Sequence, residues 1–226
     1  MNSVEAPHSP LFSRALSALL TAVAETPDED FALPSGCAGW LVRDLVCHLV
    51  IDAQDVLITL ATPAETEPTA DADSYWRLLV EAPTGDAPLD ALVPRLAAAY
   101  GDPALLRAHL DDVGSAAGRA ARLADPAARV GTQEMVLTVE DFLSSYVLEW
   151  TLHHLDLVAH RPTAPGPAAE PLSAARAALE RLAGAAFPAT LTDADALTVA
   201  TGRRPPTEAE RETLGDLAAR LPLVLS

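Results

Sequence analysis

The chain of 226 residues has no lysine; all 15 of its basic residues are arginine, set against 32 acidic ones. That absence excludes a Walker-type phosphate loop, which needs its Lys. It excludes Schiff-base and pyridoxal-phosphate chemistry, which need an amine, and the ATP-pairing Lys of protein kinases. A net charge of −17 argues against nucleic acid as a partner and against an anionic membrane surface. Cysteine is also scarce. Cys37 and Cys47 are the only two, too few for a disulfide framework or a tetrathiolate zinc site. No window approaches the roughly 18 uninterrupted apolar residues of a membrane span. The best stretch, Trp40 to Ile51, is cut by Arg43, Asp44 and His48. Met1 to Pro10 carries no basic stretch followed by an apolar run, so no secretory signal is read there and a cytoplasmic chain is expected. There is no H-E-x-x-H, no G-x-S-x-G and no dinucleotide glycine fingerprint.

What is present favours helices. Half the residues are apolar, aromatics are only 4%, and about one residue in five is Ala, the strongest helix former. Helical spacing of apolar residues predicts helices over about 9–24, 40–60, 71–81, 88–100, 103–124 and 138–159. Residues 125–136 read as irregular. Four prolines and a glycine between Arg161 and Pro171 read as a linker. Beyond it, 172–186 reads as helix and Ala196–Ala200 as a short strand, and Thr207 is placed to cap a last helix. The expected plan is a mainly α protein. Residues 1–162 form a helical bundle, 163–171 a Pro-rich linker and 172–226 a small C-terminal α/β domain.

The segment with the most chemistry is Glu149-Trp150-Thr151-Leu152-His153-His154-Leu155-Asp156. Glu149 and His153 are four apart on a predicted helix and project from one face. A carboxylate and an imidazole so placed can ligate one divalent cation; the same spacing also makes an ordinary salt bridge. His154 is rotated about 100° away, so it serves a different surface. His48 lies among apolar neighbours on the second predicted helix, where a histidine is either packed in the core or a ligand. Two bundle helices lie about 8–10 Å apart, a distance that a shared metal spans. His48, Glu149 and His153 would leave one coordination position open, as catalytic sites do. Asp52, one turn after His48, is expected to hold the other imidazole nitrogen, and Asp156 to support His153. Both cysteines read as ordinary buried or loop residues. Tyr146, one turn before Trp150, is expected to line the pocket.

The run Cys37-Ala38-Gly39-Trp40-Leu41-Val42-Arg43-Asp44-Leu45-Val46-Cys47-His48-Leu49 resembles the N-terminal signature of the mycothiol-dependent maleylpyruvate isomerase family, one of the DinB-like metal-binding four-helix bundles. Leu137 to Phe142 resembles that family's helix start, and Glu149, His153 and Asp156 fall in its E-x-x-x-H-x-x-D pattern. The likeness runs over about residues 10 to 160. It implies that His48, Glu149 and His153 bind a divalent metal, normally zinc, with mycothiol as thiol cosubstrate. Thr201-Gly202-Arg203 resembles the family's C-terminal Gly-Arg turn, which implies a catalytic, substrate-binding role for Arg203, with Arg204 as a second substrate contact. Two departures stand out. Leu41 replaces a capping Ser or Thr. Tyr146, Val147 and Leu148 leave no Arg just before Glu149, which points to a substrate other than maleylpyruvate.

The implied activity is a thiol S-transferase or cis–trans isomerase. Bound zinc would favour the thiolate, which adds to a small electrophile. The expected partners are that electrophile and a low-molecular-weight thiol, with the chain a monomer or homodimer. A non-catalytic metal- or ligand-binding module and a metal-assisted hydrolase are the other readings. The hydrolase needs a general base, for which only Asp52, Asp156 or His154 stands near the cluster.

Overall fold

The computed structural model describes residues 9–76, 78–79, 91–161 and 163–225. Its first helix, α1 (Ser9–Ala24), presents Phe12, Leu16, Leu19 and Val23 to the core at helical spacing. A 3-10 turn (Asp28–Ala32) and a loop lead to α2 (Val42–Leu60). The capping hydroxyl missing at Leu41 is partly replaced. The Asp44 carboxylate accepts the Leu41 backbone N–H at 2.9 Å, which is half of a capping box.

After α2 the chain turns at Asp71, whose carboxylate accepts the backbone N–H groups of Asp73 and Ser74 at 3.1 and 2.8 Å. A short strand β1 (Leu78–Leu79) follows. The described part of the helix predicted over 71–81 is therefore a turn (71–76) and a strand (78–79), because Asp71 bonds locally and competes with helix formation; residues 77, 80 and 81 lie outside the described residues. Next come α3 (Leu92–Tyr100) and α4 (Pro103–Leu123). The predicted start of the former at Pro88 also lies outside the described residues. Asp102 caps α4 by accepting the Ala104 N–H at 2.8 Å, with Pro103 in the first turn.

The stretch 125–136, expected to be irregular, contains β2 (Arg129–Thr132) and the start of β3 (Met135–Thr138), which pair antiparallel. The two-residue turn between them uses Gln133 and Glu134 at φ +47° and +65°. Such a turn usually announces itself with Asn-Gly or Asp-Gly; Gln-Glu gives no such signal. Strand β3 runs straight into α5 (Val139–Val158), capped by Thr138, whose hydroxyl accepts the Asp141 N–H at 3.0 Å.

Helices α1, α2, α4 and α5 make the four-helix bundle. Pair by pair, α1 lies against α4 and α5, and α2 against α4. The core holds Phe12, Leu45, Phe142 and Trp150, all fully buried, with Ala117 and Ala121 of α4 allowing close helix approach. Helix α6 (Ala169–Ala183) begins inside the expected linker, with Pro171 tolerated in its first turn. Helix α7 (Asp193–Ala200) occupies the place expected of a strand. Its cap explains the difference: the Thr192 hydroxyl accepts the Asp195 N–H at 3.1 Å and starts a helix that the apolar run alone does not reveal. Helix α8 (Glu208–Leu214) opens with a full capping box between Thr207 and Glu210, and a 3-10 turn (Gly215–Arg220) follows. Strand β4 (Val224–Leu225) pairs antiparallel with β1. A second apolar cluster, centred on Leu179, Leu197 and Ala200, packs on Leu148 and Leu152 of α5. The chain is thus mainly helical with small strand pairs, as expected. Among the described residues, no helix is long and apolar enough to cross a membrane.

Candidate metal centre

Residues four apart on α2 and on α5 meet at the cluster. Glu149 Oε1 lies 2.9 Å from His153 Nε2 and 3.8 Å from His48 Nε2, and Asp52 Oδ2 lies 3.3 Å from that same His48 nitrogen. One donor atom from each of these four residues falls within 4.8 Å of all the others. The two imidazole rings stand edge to face with centroids 4.9 Å apart, and Trp40 packs on His48 in turn.

The other nitrogen of His153 faces away from this group. Nδ1 lies 3.1 Å from Asp156 Oδ2. Asp156 is 1% exposed, and Arg203 grips it with two parallel bonds, Nε to Oδ1 at 2.7 Å and Nη2 to Oδ2 at 2.8 Å. The Cys37 thiol donates to Asp156 Oδ2 at 3.2 Å and lies 3.8 Å from His153 Nδ1. A carboxylate behind a ligating histidine fixes its tautomer and its direction; here an arginine in turn fixes the carboxylate.

Two glycines make this support possible. Gly36 donates its N–H to the Asp156 carbonyl at 2.8 Å, and a Cβ at residue 36 would sit 2.5 Å from Asp156 Oδ1. Gly202 adopts φ +74°, and a Cβ there would lie 2.9 Å from Pro222 Cβ. The Thr201-Gly202-Arg203 turn that delivers Arg203 therefore favours glycine on both counts.

The charge states follow from these contacts. Burial disfavours ionised Glu149, but the charge and hydrogen bond of His153, with His48 close by, more than offset it and hold the carboxyl well below the usual range. For His153, burial works against the proton, yet Glu149 and the bond to Asp156 raise its pKa well above the ordinary value. Asp156 is likewise opposed by burial, but His153 and Arg203 hold it at about 2. Asp52 differs: burial dominates and pushes it up to about 6, only partly opposed by His48. Burial also raises the Cys37 thiol, with His153 pulling the other way. That thiol is a protonated donor rather than a nucleophile.

A pocket of about 340 Å³ opens beside the cluster. His48, Asp52 and Glu149 line one part of it, and Tyr75, Trp76 and Gln133 another. Tyr146 also lines it and donates its hydroxyl to Asp55 Oδ2 at 2.8 Å.

The structure thus brings His48, Asp52, Glu149 and His153 together, with Asp156 and Arg203 behind His153. It does not bring Arg204 there. That guanidinium pairs with Asp195 at 2.7 Å and Glu210 at 2.6 Å, so it contacts neither the cluster nor its support. Nor does His154 join; its Nε2–H donates to the Pro165 carbonyl at 3.0 Å. Two residues at the site escaped the sequence reading. Cys37 reads from sequence as an ordinary loop cysteine, although the Cys-Ala-Gly-Trp turn leads directly into the helix that carries His48. Asp55 follows His48 and Asp52 at i, i+4, i+7, one helix face, and that spacing could have found it.

A divalent cation fits this set. In a tetrahedral zinc site with bonds of about 2.0–2.1 Å, ligand atoms are about 3.4 Å apart, and the measured separations of 2.9, 3.3 and 3.8 Å bracket that edge. Cys37, His153 and Asp156 form another possible group, but Arg203 already neutralises Asp156, and a cation there would face the guanidinium.

A helical bundle with a histidine–carboxylate cluster between two of its helices defines a class of metal-binding fold. The family described as mycothiol maleylpyruvate isomerase N-terminal domain matches residues 12–158, and the chain belongs to that family. No curated protein and no solved structure matches the chain.

Proposed function

We propose that this chain is a mycothiol-dependent metalloenzyme of the thiol S-transferase or cis–trans isomerase type. The observation that carries the reading is the His48–Glu149–His153 cluster, backed by Asp156 and open to a pocket, within a bundle of the mycothiol maleylpyruvate isomerase family. His48, Glu149 and His153 would hold the ion, for which zinc suits the imidazole and carboxylate donors. When bound, the ion supplies positive charge that favours the thiolate form of a coordinated thiol.

The rest falls to the chain's own side chains. Asp156 keeps the proton of His153 on Nδ1, which leaves Nε2 to face Glu149 and the ion that the cluster would hold. Arg203 holds Asp156 through two of its nitrogens, which makes it first a positioning residue; a substrate carboxylate would reach it only at the nitrogen that remains. Tyr146, fixed by Asp55, and Trp76 wall the pocket and limit water. Among the described residues lining it there is no arginine, whereas Asp52, Asp55 and Glu149 are acidic. That lining supports an uncharged electrophile over a carboxylate-bearing one.

The test is loss of free mycothiol on incubation with a panel of neutral electrophiles, using zinc-loaded and chelator-treated protein. Metal-dependent thiol consumption is expected. Consumption that ignores metal removal would overturn the mechanism. Metal binding without thiol consumption would support a non-catalytic binding module instead.

A further inference from the structure

Asp52 does not stand where a support for His48 should stand. A supporting carboxylate bonds the imidazole nitrogen that faces away from the metal, as Asp156 does at His153 Nδ1. Asp52 Oδ2 instead lies 3.3 Å from His48 Nε2, the nitrogen turned toward Glu149. It makes no hydrogen bond, although Asp52 is only 8% exposed. A buried carboxylate oxygen with no donor is costly and rare. Among the described residues, no arginine is paired with Asp52 as Arg203 is with Asp156. Its separation from His48 matches the ligand edge of about 3.4 Å expected around zinc.

We infer that Asp52 is a fourth protein ligand of the metal, so that the centre is built from two imidazoles and two carboxylates rather than three ligands and an open position. The inference rests on the metal reading given above. It changes the character of the site. Two carboxylates balance the charge of a divalent ion, and the oxygen-rich donor set moves the site away from the softest metals. A thiol cosubstrate would then share the ion with four protein donors rather than find a position left vacant by them.

The experiment compares metal-free wild type with Asp52→Asn, Asp52→Ala and Asp55→Asn. Zn2+ affinity is measured by competition with a chromophoric chelator, and the visible d–d bands are recorded after Co2+ loading. Both Asp52 variants should bind Zn2+ about 100-fold more weakly, the upper end of what loss of a supporting group costs. Both should also shift the Co2+ bands, because the ligand set itself changes, whereas Asp55→Asn should leave affinity and bands as in wild type. Weaker binding with unchanged Co2+ bands would overturn the inference and make Asp52 a support. A wild-type chain that binds neither ion overturns the metal reading itself, an outcome distinct from the other two.

Discussion

The two nitrogens of His153 look onto opposite environments. Behind Nδ1, Asp156 is met by Arg203, by the Cys37 thiol and by the ring itself, so every charge has a partner. In front of Nε2, Glu149 and Asp52 share two histidines, with no arginine among the described residues of the cluster, and one buried oxygen is left without a donor. One face is complete as it stands, and the other would be completed by a cation. The same contrast sets the carboxyls apart, Asp156 at about 2 and Asp52 at about 6. A rigid, charge-balanced support beside an electron-rich and unbalanced face is how a protein aims a ligand without also filling the site.

That contrast can be broken from either side. The largest effect is expected for His153→Ala, which joins both faces: zinc measured after dialysis should fall from about one per chain to almost none, while His154→Ala retains it. On the supporting face, Arg203→Ala leaves Asp156 buried without its cation and should cost about 3 kcal/mol in urea unfolding. Arg203→Lys, which keeps the charge but not the fork, should lose less. Gly36→Ala forces a methyl against Asp156 and should cost about 2 kcal/mol in the same measurement.

The metal-free front face should respond in the opposite sense. The Asp52 carboxyl at about 6 lies above its ordinary value near 3.9. Its contribution to stability is therefore present below pH ~4 and is lost as pH rises through about 6. Metal-free Asp52→Asn should consequently become more stable than wild type above that range, by an amount on the order of 1 kcal/mol, with no advantage near pH 4. For Asp156 the sign reverses: its contribution is present above pH ~4 and is lost only as pH falls through about 2. The smallest effect should be that of Arg204→Ala. Its partners Asp195 and Glu210 are partly exposed and lie away from the cluster, so about 1 kcal/mol should be lost and metal binding should not change.

Much of this was legible in the chain. The i, i+4 spacing of Glu149 and His153, and the histidine in the apolar turn of α2, mark the two helices that meet, because side-chain direction on a helix follows from sequence spacing alone. The bundle helices carry clear apolar periodicity, and Thr207 marks the cap of α8. The failures share a cause. Leu197 and Val199 in α7 read as a strand because five residues of apolar character fit either form, and burial against α6 decided between them. The β2–β3 hairpin was missed because its turn residues lack the usual chemistry. Arg203 and Arg204 are adjacent in sequence, yet one is buried against Asp156 and the other pairs at the surface. Nothing local separates them; the Gly202 turn does. The direction of Asp52 depended on the angle between α2 and α5, which no spacing rule encodes.

The grip of Arg203 on Asp156 also bears on the order in which the molecule can mature. The two residues are 47 positions apart, and α5 is made and able to join α1, α2 and α4 before Arg203 exists. During that interval the nascent bundle holds an acid with no guanidinium to meet it, and His153 has no fixed support. The candidate ion-binding face would therefore acquire its final aim only after Arg203 has been synthesised and has folded back, so that a product truncated between α5 and Arg203 would carry the candidate ligands but not their alignment.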